Sequence, residues 1–252
     1  EVRIDAVREL MGDQGGEAAR LLEGLPHALV MHFPPRQLAQ LAALLLDASE
    51  GVGVRLWVDE LRDETLAIVV APDRPRLFAR LAHAASRGVA SIVAAQAYRL
   101  EDGRVLDVFH LQEPAGRVVA EPEDLERLKR GLERAAAEEG PFRPGRRKFK
   151  VHLLMRRVPV RVRVLPKASF RGTAIEVSCA DQPGLLARLA AVIGEEGAEI
   201  FGASVSTFGE RAVDVFFLSG PDGHALPDEA VRRLCERLAE AARLPGDEED
   251  AA

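Results

Sequence analysis

The stretch DQPGLL at 181–186 sets an acidic side chain, a proline and a glycine at what reads as the start of a helix over 183–194. A helix start offers free backbone amides and the positive end of a dipole, which together attract a carboxylate. Pro183 at the first helical position leaves the following amides available. Gly184 is about 1 kcal/mol less favourable than Ala inside a helix. That cost makes sense where a ligand or neighbouring backbone comes so close that a Cβ would obstruct it. Asp181 admits two readings of equal standing. It could accept a cationic group, or it could stabilise the helix start by about 0.3–1 kcal/mol.

Other reactive residue types do not assemble into chemistry. His83 falls on a helix, His110 on a strand and His152 in a basic segment, without metal-ligand spacing. Ser178 and Cys179 lack the nearby His and Asp that would make either a nucleophile, so no catalytic residue and no metal site is assigned. Cys179 reads as a small core residue that could also wall a pocket beside the Asp181 turn. Asp107 and Asp214, inside LDVF and VDVF, are read either as functional or as edge and hairpin charges that prevent wrong strand pairing. Cys179 and Cys235 are the only cysteines, which argues against a disulfide framework. A formal charge of −6 and the lack of a long apolar run argue against nucleic-acid and membrane partners. Small molecules or proteins in a reducing cytoplasm are expected instead. The chain opens on Glu1 rather than Met, so a fragment of a longer protein is expected.

The elements that must position these residues come twice. DRPRLFARLAHAASRGVASIVAAQA at 73–97 parallels DQPGLLARLAAVIGEEGAEIFGASV at 181–205, with a constant offset of 108 residues (181 against 73, 200 against 92). Around each copy the hydrophobic period switches between 2 and 3.6. VGVRLWV and LAIVVA read as a hairpin before the first copy, and VPVRVRV and AIEVSCA as strands before the second. ASIVAAQAYRL and RVLDVFHL flank the turn EDG, and PEDLERLKRGLERAAAE closes the first unit as a charged helix. The order is ββαββα in both. The fold class is therefore α+β, each unit a four-stranded antiparallel sheet with two helices on one face. The strand from upstream covers an otherwise open sheet edge.

The expected division is a helical connector over 1–50, a first unit over 52–140, a basic linker over 141–157, a second unit over 158–244 and a disordered acidic tail over 245–252. The linker reads as a solvated connector, with a phosphate or RNA contact the alternative. Both faces of VLDVFHL and AVDVFFL are apolar, so the two units are expected to pack together through sheets or helices.

At DRPRLFARLA, DGRVLDVFHLQ, DQPGLLARLAAVI and GERAVDVFFLSGPDG the chain resembles ACT domains, small ligand-binding regulatory modules with a ferredoxin-like fold. The likeness is closest to the tandem pair at the carboxyl end of bacterial PII uridylyltransferases, which also remove uridylyl groups, and it spans roughly 52–244. LPHALVMHFPPRQLAQLAALL is similar to the connector that precedes that pair. The resemblance implies a glutamine sensor in which bound glutamine favours removal of uridylyl groups from the PII signalling protein and its absence favours their addition. It also implies upstream catalytic domains as partners. Those domains would need a divalent metal such as magnesium, while no cofactor is expected in this stretch.

In such modules a polar residue eighteen positions after the Asp, at the start of the next strand, contributes across an interface; here it is Glu199, and Ser91 in the first copy. The candidate ligand-binding set is Asp181, Gln182, Pro183, Gly184, Leu185 and Glu199, with Asp73 and Ser91 in the first copy. Arg76 stands where the second copy has Gly184 and would either occlude its pocket or clamp a carboxylate. The second copy is therefore read as the principal binder. The alternative is an ACT pair that binds no amino acid and serves as an assembly surface.

Overall fold

The computed structural model describes residues 2–48, 51–87, 90–113, 116–140, 142–144, 151, 153–166 and 172–245. His152 and positions 246–252 of the acidic tail lie outside the described residues.

The chain opens on four helices, α1 (Val2–Leu10), α2 (Gly15–Glu23), α3 (His27–His32) and α4 (Pro35–Asp47). Pro35 sits in the first turn of α4, where its missing N–H costs nothing, and Leu38, Leu41 and Leu45 repeat at helical spacing to form its buried face. The ββαββα order then runs twice. The first unit is β1 (Gly53–Asp59), β2 (Glu64–Pro72), α5 (Leu77–Ala85), β3 (Ser91–Arg99), β4 (Arg104–Gln112) and α6 (Pro122–Ala137). A short α7 (Leu153–Arg156) lies within the segment expected to be only a linker, because Met155 finds an apolar seat against Ala180 and Leu244. The second unit is β5 (Arg161–Val164), β6 (Thr173–Ala180), α8 (Leu185–Glu195), β7 (Glu199–Phe208), β8 (Arg211–Ser219) and α9 (Asp228–Ala242).

Among the described residues, the eight strands form one antiparallel sheet in the order β1-β2-β4-β3-β7-β8-β6-β5. The units join edge to edge where Ala94, Ala95 and Gln96 of β3 pair with Ser206, Val205 and Ser204 of β7. This pairing removes two open edges and leaves only β1 and the short β5 at the rims. The register shifts in β3 between Ile92 and Ala94 and in β7 between Ile200 and Gly202, so even the bulges obey the 108-residue repeat.

Above the sheet, α5 packs directly on α8, with α6 and α9 outside them. One continuous apolar core, including Phe78, Phe109, Leu189 and Phe216, runs beneath both units. The opposite face of the first unit, with Leu66, Ile68, Val70, Leu106 and Val108, is covered by α1–α4, where Phe33 meets Trp57 edge-on at 5.1 Å between ring centres. In the second unit Val213, Val215 and Phe217 on that same face are only partly covered.

Two sequence expectations are corrected here. The repeated helix starts at Leu185, not at 183, and its counterpart at Leu77. The residue before each start, Gly184 with φ 72° and Arg76 with φ 63°, is left-handed and ends the preceding turn instead of opening the helix. Nor are Asp107 and Asp214 edge or hairpin charges. Both lie in strands flanked on either side, β4 between β2 and β3 and β8 between β6 and β7. There they are 2% and 1% exposed.

Candidate functional site

The edge-to-edge join creates two related clefts, each built from both units. One lies over the loop at 181–184 and the start of α8, and the first unit closes it with Ala82, Ser86, Ala90, Ser91 and Ile92. The other lies over Asp73–Arg76 and the start of α5, and the second unit closes it with Ala190, Gly194, Ala198, Glu199 and Ile200. The closing residues are equivalent under the 108-residue offset, so the clefts are related by an approximate twofold between the units. Their volumes are about 290 Å³ at Asp181 and about 620 Å³ at Asp73. Both are near the size range of small-molecule sites.

This arrangement regroups the residues expected from sequence. Asp181, Gly184 and Glu199 do not meet in one pocket. Glu199 joins Asp73, and Ser91 joins Asp181. The reason is the β3–β7 pairing, which carries the first residues of each strand across to the other unit's helix start.

In the Asp181 cleft the polar parts are few. Leu185 donates its amide to the Gln182 carbonyl at 3.0 Å, and the first intrahelical bond runs from Arg188 to Gly184 at 3.1 Å. The amides of Leu186 and Ala187 fall between these and form the anion-attracting end of α8. Gly184 is explained differently from the sequence reading. A Cβ there would meet nothing nearer than Arg188 Nη1 at 3.9 Å, so no neighbouring backbone approaches it, and the requirement the structure shows is its positive φ. Asp181 keeps solvent contact at the cleft mouth. Burial raises its pKa, opposed by the backbone amide of Gln182 and reinforced by Glu210.

Three predicted residues line this cleft and are also tied into the scaffold around it. Gln182 is buried, its Nε2 donating to the Ala242 carbonyl at 2.7 Å, and its Oε1 accepting from Arg188 Nη2 at 2.9 Å. The Pro183 carbonyl accepts from Arg188 Nη1 at 3.0 Å. Leu185 packs into the core. Arg188, the Arg of the repeated ARLA, thus ties the loop to the end of α9. Its counterpart Arg80 instead reaches the end of α6 directly, donating to the Glu138 carbonyl at 2.7 Å and to the Gly140 carbonyl. The exact recurrence of ARLA was the signal for this pair.

The Asp73 cleft is occupied by its own charges. Arg99 binds Asp73 through Nε at 3.1 Å and through Nη2, and its Nη2 also reaches Glu199 at 3.3 Å. Thr207 stands at the offset position of Arg99 in the other cleft. Arg76 lines this cleft at its α8 wall. It lies along α8, where a Cβ on Gly194 would come within 2.8 Å of Arg76 Cγ, and its Nη1 approaches the Phe142 carbonyl at 3.5 Å.

The two strand acids that the sequence left open between a functional and an edge role line the clefts from the sheet below. Asp214 belongs to the Asp181 cleft and Asp107 to the Asp73 cleft. Burial, then the neighbouring Asp181, pushes Asp214 up to about 8. Burial, then Asp73, raises Asp107 well above the usual carboxylate range. Burial also pushes the Cys179 thiol up to about 12, with Asp214 adding to the effect, so Cys179 is an inert core thiol. An acid in the core-facing alternation of LDVF and VDVF was the available signal.

The second unit matches the ACT domain family model over residues 173–236. The chain is 34% identical over 187 residues to the bifunctional uridylyltransferase/uridylyl-removing enzyme of Phenylobacterium zucineum, covering 73% of this chain and 20% of the relative. It is 36% identical over 183 residues to that of Gluconobacter oxydans, covering 70% and 19%. With that of Erythrobacter litoralis the identity is 30% over 240 residues, covering 90% and 26%. The chain therefore spans about a fifth to a quarter of the length of these relatives. Residues 173–236 thus form an ACT domain, in a chain with ferredoxin-like units that is similar over most of its length to part of the bifunctional uridylyltransferase/uridylyl-removing enzymes.

Proposed function

We propose that this ACT pair is the glutamine-sensing regulatory module of a PII uridylyltransferase/uridylyl-removing enzyme, with the Asp181 cleft as its principal site. The observation that carries the reading is the pairing, in one cleft between two units, of an amide-bearing helix start with carboxyl groups not held by an arginine. An amino acid needs donors for its carboxylate and acceptors for its ammonium in a shielded place. Glutamine's carboxylate would lie at the amides of Leu186 and Ala187, and Ser91 would face it from the other unit. The Asp73 cleft is the lesser candidate because Arg99 already neutralises Asp73 and engages Glu199.

A ligand held by both units favours one arrangement of the units over others, and differential affinity of this kind is what shifts a regulatory equilibrium. In this reading bound glutamine promotes removal of uridylyl groups from the PII protein, and empty clefts promote their addition. Divalent metal chemistry such as that of magnesium belongs to catalytic domains beyond this stretch.

Calorimetric titration with glutamine tests the reading. Wild type should give saturable binding and Gly184→Val none, because a β-branched residue at φ 72° displaces the turn that aims the α8 amides. Equal binding by Gly184→Val would place the site elsewhere. No binding by either protein would favour the pair as an assembly surface.

A further inference from the structure

Among the described residues, Asp214 is the carboxyl group with a buried oxygen that lacks a hydrogen-bond partner. It is 1% exposed in the middle of the sheet, it lines the Asp181 cleft, and its Oδ1 has no hydrogen-bond partner among the described residues. A buried polar atom left unsatisfied costs about 1–3 kcal/mol. Such a cost in the lining of a cavity, beside the start of an eleven-residue helix, points to a ligand group that supplies the missing contact.

The surroundings define that group. The strands flanking Asp214 place Val177 and Val205 opposite it, neither of them polar. From the loop the nearest charge is Asp181, and from β6 the ionisable neighbour is Cys179. Helix α8 contributes Arg188, whose guanidinium bonds the Pro183 carbonyl and Gln182. Helix α5 contributes Ala82 and Ser86, and β7 contributes Thr207, none of them charged. The ionisable groups lining the cleft are thus Asp181 and Asp214. Of these, the exposed Asp181 is screened by water and the buried Asp214 is not.

We propose that Asp214 receives the primary ammonium of the bound ligand and releases its own proton as it does so, making the cleft selective for free α-amino acids. The inference rests on the reading that this cleft takes an amino acid. With burial holding Asp214 near 8, the empty site carries a neutral carboxyl at pH 7. On binding, the carboxyl O–H bond breaks, its proton passes to solvent, and the carboxylate so formed pairs with the incoming R–NH₃⁺. The ammonium keeps all three protons, so charge and atoms balance. A secondary amide such as an N-acetyl group carries no charge to stabilise the carboxylate and is rejected.

Titration calorimetry of wild type with the twenty common amino acids and with N-acetylglutamine, at pH 7 in phosphate and again in Tris, reads the proton directly. Glutamine binding should show a heat difference between buffers that corresponds to release of about one proton per ligand, and N-acetylglutamine should not bind. Asp214→Asn should lose at least about tenfold in affinity together with the buffer dependence, as expected when a charge-assisted contact becomes a neutral one. The wild-type buffer comparison does not depend on the fold of the variant. Glutamine binding with no buffer dependence and unchanged affinity in Asp214→Asn overturns the inference and leaves the glutamine reading standing. Silence with glutamine, but proton-releasing and Asp214-dependent binding of another amino acid, overturns glutamine and supports the inference. Binding of none of the twenty overturns both.

Discussion

Replacing Asp214 with Asn should flatten much of the pH dependence of the ligand-free fold. The carboxyl rests at 3.8 in the unfolded chain and at about 8 in the folded one. Below 3.8 both states bind the proton and the group has no effect on stability. Between the two values the folded chain keeps a proton that the unfolded chain has lost, so stability falls as pH rises. Above about 8 both states are ionised and the loss is complete. The slope is about 1.4 kcal/mol per pH unit, or about 3 kcal/mol between pH 5 and pH 7. Against a typical total of about 5–15 kcal/mol that change is readily measured. Asp107 should add a slope of the same sign, present equally in wild type and variant, so the difference between them isolates Asp214. Urea unfolding at pH 5, 6 and 7 reads it. The variant should gain on wild type by about 3 kcal/mol over that range. Parallel profiles would refute the claim that Asp214 is neutral inside the fold.

Gly184→Ala should destabilise by about 1 kcal/mol, the left-handed penalty of about 1–2 kcal/mol being partly offset by reduced freedom in the unfolded chain; a thermal melt unchanged within error would contradict the positive-φ explanation. Arg99→Ala should cost less than about 1 kcal/mol, because the Asp73–Arg99–Glu199 bridge is solvent-exposed, and a loss of several kcal/mol in urea unfolding would show that the bridge holds the units together. After cleavage at a protease site engineered between residues 144 and 151, the two halves should co-elute on gel filtration, since β3–β7 pairing and α5–α8 packing hold them; separate elution would refute that. Arg76→Gly should leave the stoichiometry of glutamine binding unchanged, because Arg76 runs along the α8 wall of the cleft with its guanidinium directed at the Phe142 carbonyl, and a new binding event in calorimetry would restore occlusion.

The switch from period 2 to period 3.6, taken twice at a fixed offset, made the ββαββα order and the α+β class legible before any coordinates. What the offset could not say is which copy faces which. Equivalence under 108 residues places Ser91 with Glu199, but only the Ala95–Val205 pairing carries Ser91 to Asp181 and Glu199 to Asp73. Gly184 was singled out without its backbone requirement being seen. Arg76 adopts the same left-handed turn without being glycine, which hid the backbone requirement the two positions share. Asp107 stayed open between two roles in the sequence because an acid in a strand can also be a protective edge charge. Its neighbours Val105 and Phe109, two residues either side and both core-facing, carried the contrary signal. The helices at 1–48 were legible as helices from their leucine spacing, whereas their seat on the first sheet needed Phe33 and Trp57 to be seen together.

The central claim is that an amino acid binds between the units at the start of α8, and a crystal structure of the chain with glutamine tests it most directly. The account predicts glutamine in the cleft between Ser91 and Gly184, its carboxylate on the amides of Leu186 and Ala187 and its ammonium on Asp214. Glutamine seated in the Asp73 cleft, on the outer face of the sheet, or nowhere at saturating concentration would contradict it.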